Sequence, residues 1–148
     1  MSYKRTLYSS GAPLEESAGY SRAIKLGDFV FVGGTTAVQP DGTVYAEGDA
    51  YEQTKYVLKK MESFYLKAGA KREDVFRVKM YVTDISRGKE YIKAYSEFYK
   101  QVKPLCTMVE TPKLNRPTQV IEIEIDALIG SAAGKTTVRK KAAKKKTG

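Results

Sequence analysis

Polar and apolar positions alternate residue by residue between Val120 and Ile129. In VIEIEIDALI, Ile121, Ile123, Ile125 and Ile129 fall on one face of an extended strand and Glu122, Glu124 and Asp126 on the other, because successive strand side chains point to opposite sides. Carboxylates at i, i+2 and i+4 sit roughly 7 Å apart. They repel one another and need water, cationic neighbours or a functional cleft; a solvated outer face is the plain alternative. The same period of two predicts a half-buried strand over Val75–Thr83, with Phe76, Val78, Met80 and Val82 on one side and Arg77, Lys79 and Tyr81 on the other. Short strands are expected at Tyr3–Ser9, Ser21–Lys25 and Asp28–Thr36, the last carrying the β-branched and aromatic run Phe29-Val30-Phe31-Val32.

Elsewhere the period changes to that of a helix. Asp49, with Glu52 three residues on, reads as an N-cap. Thr54, Val57, Leu58, Met61, Phe64, Tyr65 and Ala68 then form one buried stripe, and Gly69 is placed to end the helix. A second stripe, Tyr91, Ile92, Tyr95, Phe98, Tyr99 and Val102, predicts a helix over Arg87–Val102. SSGAPLEESAG reads as a loop by its turn-forming residues. A proline-flanked loop joins a strand after Pro104 to the last strand. The chain is therefore α+β, in the order β-β-β-α-β-α-β-β, and two helices cover one face of a six-strand sheet. The other face needs a partner.

Composition narrows the chemistry. At 148 residues the chain fits one domain. No apolar run approaches the ~20 residues needed to cross a bilayer, and MSYKRTLYSS lacks the apolar core of a secretion signal, so a cytoplasmic location without membrane contact is expected. The single cysteine rules out an intrachain disulfide. The absence of histidine removes Ser-His-Asp and Cys-His catalysis and histidine metal sites. No metal or cofactor is expected, and acid-base work must come from carboxylates, Tyr, Lys, Cys or water. The net charge of +9 belongs mostly to the end of the chain: residues 130–148 hold seven Lys and Arg and no Asp or Glu, which leaves +2 on the rest. We expect one domain over residues 1–129, then a flexible Gly/Ser/Ala linker and a basic tail. Such a tail can touch phosphates weakly and without sequence preference, or serve only as a solvated extension.

The stretch from Pro104 resembles the signature of the Rid/YjgF family of reactive-intermediate deaminases, through Pro104, Leu105, Cys106, Thr107, Met108 and Val109 and then Ile121, Glu122 and Ile123. Gly19-Tyr20-Ser21, FVFVGGTTA with Gly34, and the order of elements from Ser21 to Ile129 extend the resemblance over nearly the whole chain. It implies a chorismate-mutase-like fold assembled as a homotrimer, with clefts at subunit boundaries for a small-molecule ligand. It also implies hydrolysis of enamines or imines, with Glu122 handling the attacking water, the Gly34 backbone and Tyr20 at the ligand, and Cys106 and Met108 beside them. From the residues alone, Tyr20 reads more often as packing, and Gly33-Gly34 equally as a bulge.

One position departs from the signature. The family arginine that binds the substrate carboxylate falls on Cys106, and a family asparagine on the second helix falls on Ile92. A thiol cannot supply the paired, charge-assisted hydrogen bonds of a guanidinium. The chain is therefore similar to a branch without the usual imine deaminase activity, with Lys103, Lys113 or Arg116 as substitute cations. With no histidine and with carboxylates nearby, Cys106 is expected to have a raised pKa and to act as a small buried filler. The alternative to an enzyme is a binding protein that engages RNA or another acidic partner through the tail.

Overall fold

The computed structural model describes residues 2–134 and 136–140. Its elements are β1 (Arg5–Tyr8), α1 (Pro13–Ala18), β2 (Ala23–Leu26), β3 (Phe29–Thr36), α2 (Ala50–Lys67), β4 (Val75–Val82), α3 (Gly88–Tyr99), β5 (Leu105–Glu110) and β6 (Ile121–Leu128). The two long helices and six strands come in the expected order. The addition is α1, inside the stretch read as a loop. Pro13 opens it, at a position where a missing N–H costs nothing, and Gly19 closes it in the left-handed conformation, φ 75°.

The strands lie in the order β1-β2-β3-β6-β4-β5. All neighbours are antiparallel except β4 and β5, which run parallel because α3 carries the chain back between them. The last strand in sequence is thus central in space. Both edges of β6 are paired, and Ile121, Ile123, Ile125 and Ala127 are fully buried on the side covered by α2. They meet Val30 and Val32 from β3, Val78 and Met80 from β4, and Val57, Leu58, Met61 and Tyr65 from α2. Each such side chain contributes about 1.5–3 kcal/mol by leaving water, which makes this layer the source of the fold's stability. Asp49 caps α2 through the Glu52 N–H at 2.9 Å.

Three local expectations are corrected. Phe76 leaves the buried side, because a register shift between Val75 and Arg77 turns it to the open face, where it meets Phe29 edge-on with ring centroids 6.3 Å apart. In α3, Ile92 is exposed and Ala94 takes the buried place beside Tyr91 and Tyr99. The helix also stops at Tyr99, short of Val102, before Lys103 at φ 58°.

The open face carries Ile24, Leu26, Phe29 and Phe31 at one end, the carboxylate row of β6 in the middle, and Leu105 and Val109 on β5 at the other end. Leu105 is 68% exposed. No helix among the described residues is long and apolar enough to cross a membrane. Within the stretch expected as a linker, Ser131–Ala133 forms a single turn, held to the body by the Ala132 N–H donating to the Asp74 carboxylate at 3.2 Å. Of the basic tail, residues 136–140 are exposed, while Lys135 and residues 141–148 lie outside the described residues.

Candidate functional site

The register of β4 against β6 sorts the three carboxylates. Arg77 stands opposite Asp126, Lys79 opposite Glu124 and Tyr81 opposite Glu122. Asp126 accordingly receives Arg77 Nε at 2.7 Å and Glu124 lies 3.6 Å from Lys79 Nζ. Glu122 has neither, and Thr36 faces it from β3. Burial pushes its carboxyl pKa above the usual value, Glu124 adds to the rise, and Arg22 opposes it. The row reads from the sequence either as a solvated face or as part of a functional cleft; in the structure Glu122 is the member lacking an ion-pair partner among the described residues.

Glu122 leans over the glycine pair. β3 breaks register between Val32 and Thr35, so Gly33-Gly34 forms the bulge that was one of its two readings. A Cβ on Gly34 would overlap Glu122 Oε1, and any other residue there would displace the carboxylate. The Gly33 N–H donates to Arg22 O at 2.9 Å.

Around these residues lies a cleft of about 1020 Å³, bounded by residues 10–15, Tyr20, Arg22, the end of β3, Tyr56 and Lys60 of α2, and the loop with Asn115, Arg116 and Gln119. Two buried glutamines shape that loop. Gln53 Nε2 donates to Thr118 O at 2.8 Å and its Oε1 accepts the Val120 N–H at 3.0 Å. Gln119 Nε2 donates to Thr36 Oγ1 at 3.0 Å, and its Oε1 accepts the Arg116 N–H at 3.1 Å. On the opposite wall Glu15 accepts from Ser9 Oγ at 2.5 Å and from the Ser10 N–H at 3.1 Å. Burial raises its pKa, but hydrogen bonds from the Ser10 and Ser9 hydroxyls and the Ser10 N–H outweigh burial and leave it lowered.

Of the expected site residues, Tyr20, Gly34 and Glu122 meet in this cleft. Cys106 and Met108 do not line it. They pair with Val78 and Met80, whose side chains face the helices, so Cys106 turns toward Tyr95 and Met108 packs near Gly88. Cys106 is exposed at the sheet edge, which corrects the expectation of a buried filler: β5 has no strand beyond it to cover the residue. The raised thiol pKa is as expected, but its cause is desolvation, which the Tyr95 hydrogen bond opposes, rather than facing carboxylates. The cleft lining includes Arg116 but neither Lys103 nor Lys113. Arg22, Lys60 and Glu15 were missed in the sequence. Arg22 was the findable one, since a cation two residues after Tyr20 and two before Ile24 shares the open face of the strand that opens there.

An α+β sheet with one covered face, one open face and a polar cleft at the β3–β6 end defines a small ligand-cleft domain. A family model described as Endoribonuclease L-PSP matches residues 9–129, and the chain belongs to that family, the RutC/YjgF/Rid proteins. The RutC family protein PYRAB12510 of Pyrococcus abyssi is 34% identical over 125 residues, covering 84% of this chain and 95% of that protein. A RutC family protein of Aquifex aeolicus is 33% identical over 111 residues, covering 74% and 87%. Among solved structures, Rv2704 of Mycobacterium tuberculosis, described as a member of the highly conserved YjgF/YER057c/UK114 family, superposes with a TM-score of 0.77 at 37% identity, over 85% of this chain and 100% of that one.

Proposed function

We propose that the protein is a cytoplasmic homotrimer whose clefts bind a small metabolite, with Glu122 as the group that handles protons. The observation that carries this reading is the isolation of Glu122: among the described residues it alone in its row has no ion-pair partner, and burial favours its protonated form. A carboxylic acid so placed can give a proton to a leaving nitrogen, and as a carboxylate can take one from water. In imine hydrolysis the water oxygen bonds to the imine carbon as one water proton passes to nitrogen; the remaining O–H proton then passes to nitrogen, through the carboxyl group, as the C–N bond breaks, leaving a carbonyl and ammonia.

Assembly supplies the missing wall in this proposal. The β5 edge of one subunit, with Cys106, Met108 and the exposed Ile92, would face Tyr20, Gly34 and Glu122 of the next. Support comes from apolar side chains left bare at both ends of the open face, Leu105 and Val109 on β5 and Leu26 and Phe29 on β2 and β3. The usual imine deaminase reaction is expected to be weak or absent, because Cys106 offers no fork to orient the substrate.

The test is ammonia release from imines of alanine and 2-aminobutyrate. Wild type should show little. Cys106→Arg should raise the rate, and Glu122→Ala in that background should remove the gain. Fast hydrolysis by wild type would show that another cation already orients the substrate. A second reading, binding of RNA or another acidic partner, rests on the seven cations and no carboxylates after Gly130. It requires retention on nucleic acid at low salt that disappears when residues 135–148 are deleted.

A further inference from the structure

The cleft is rich in cations although the signature arginine is absent. Arg22 stands in its middle, fixed from both sides: its backbone N–H donates to Tyr8 O at 2.9 Å and its carbonyl accepts from Gly33. Nη2 donates to Gly34 O at 2.5 Å and to Thr35 Oγ1 at 2.9 Å, and the Tyr20 ring lies 5.6 Å from the guanidinium carbon. These contacts set the plane of the group and leave donors unused. Nε is buried without an acceptor, and Nη1 has none among the described residues, although a guanidinium carries five N–H donors.

Lys60 reaches the same wall from α2, its Nζ donating to Val38 O at 2.6 Å. Burial and the nearby Arg22 charge both push its pKa down, as expected of two cations held together without a carboxylate between them. Glu15, the acid close to both, is already occupied by Ser9 and Ser10. Arg116 adds a third cation, against the two carboxylates Glu15 and Glu122. With both carboxylates ionised the excess is one positive charge, which matches a single negative charge on a ligand; a dianion would bring its second charge against Glu15 and the ionised Glu122.

We propose that Arg22 and Lys60 form a carboxylate anchor, so that a small monocarboxylate binds on the β2–α2 wall within one subunit, with its remaining atoms toward Glu122. This rests on the metabolite-cleft reading above and moves the anchor from the β5 signature position to the opposite wall. The ligand would be held, but not in the orientation that an arginine at position 106 would impose.

The test is titration of the full-length, isotope-labelled protein with sodium pyruvate, methyl pyruvate and inorganic phosphate, following the Arg22 Nε–H and Gly34 amide resonances. Pyruvate should shift both saturably at millimolar concentration, and the ester and phosphate should bind more weakly. Losing a charge-assisted hydrogen bond typically weakens binding about ten-fold or more, so Arg22→Gln and Lys60→Met should each raise the pyruvate Kd by about that factor. Lys89→Met, on the exposed face of α3, should leave it unchanged. Because Arg22 also holds the Gly33-Gly34 bulge, melting curves accompany each variant, and Arg22→Lys, which keeps a charge, should retain part of the affinity. Equal Kd values for wild type and a folded Lys60→Met or Arg22→Gln, or phosphate binding more tightly than pyruvate, would overturn the anchor. An ester that shifts Gly34 as well as pyruvate does would overturn the anchor and leave the cleft standing. If no probe moves a cleft resonance, anchor and cleft reading fall together.

Discussion

Gly34 and Glu122 depend on each other, and both lead to measurable consequences. In the native protein the Glu122 carboxyl pKa lies above the 4.5 of an unperturbed glutamate, so the folded state holds its proton more tightly than the unfolded chain. Stability linked to this group is present below about pH 4.5 and is lost as pH rises through the native value. Glu122→Gln should therefore raise the melting temperature at pH 7, and the gain should vanish at pH 4; calorimetry at the two pH values checks both. Gly34→Ala should swing the carboxylate toward solvent, since only the far end of a side chain must move. The Glu122 pKa should then return toward 4.5 in an NMR titration, with a stability change within about 1 kcal/mol.

At the scale of elements, α2 and α3 are tied to each other as well as to the sheet. Arg72, just after α2, donates to both carboxylate oxygens of Glu62, at 2.7 and 2.9 Å, and stacks on Phe98 of α3 at 4.6 Å. The paired hydrogen bonds from Arg72 hold the Glu62 pKa below its usual value. The stability this adds is present above about pH 4.5 and is lost as pH falls through the native value. The pair is partly exposed, so water screens it. Arg72→Met should cost about 1–2 kcal/mol in urea unfolding at pH 7, and the loss should shrink in acid. The elements were legible where a period ran long, as in α2 and β6. Phe76 and Ile92 were misplaced because a one-residue bulge and the end of a covering layer shift the buried side, and neither leaves a mark on local alternation.

For the molecule as a whole, the proposed assembly rests on the open face. Two helices fill one side of the sheet, and apolar side chains remain bare at both ends of the other. Light scattering should give about three times the 16.5 kDa chain mass; a monodisperse monomer at micromolar concentration would remove the shared cleft. Mutating one edge provides a second check. Leu105→Lys should shift the population toward smaller species without unfolding them, because the side chain is exposed in the isolated subunit and only assembly would bury it.

The sequence by itself determined the order of elements, the buried faces of α2 and β6, the carboxylate row and the family, because each is written in residue types at fixed local spacing. That Cys106 departs from the signature is a reading of the sequence alone, and Cys106→Arg tests it. Only the tertiary structure decided which carboxylate would lack a cation, since that depends on the β4–β6 register, set by a bulge and by pairing between strands about forty residues apart. It alone brought Arg22, Lys60 and Glu15, from a strand entry, a helix and a short unforeseen helix, into one cleft with Glu122. No local period relates those positions; they are neighbours because β6, last in sequence, packs in the centre of the sheet.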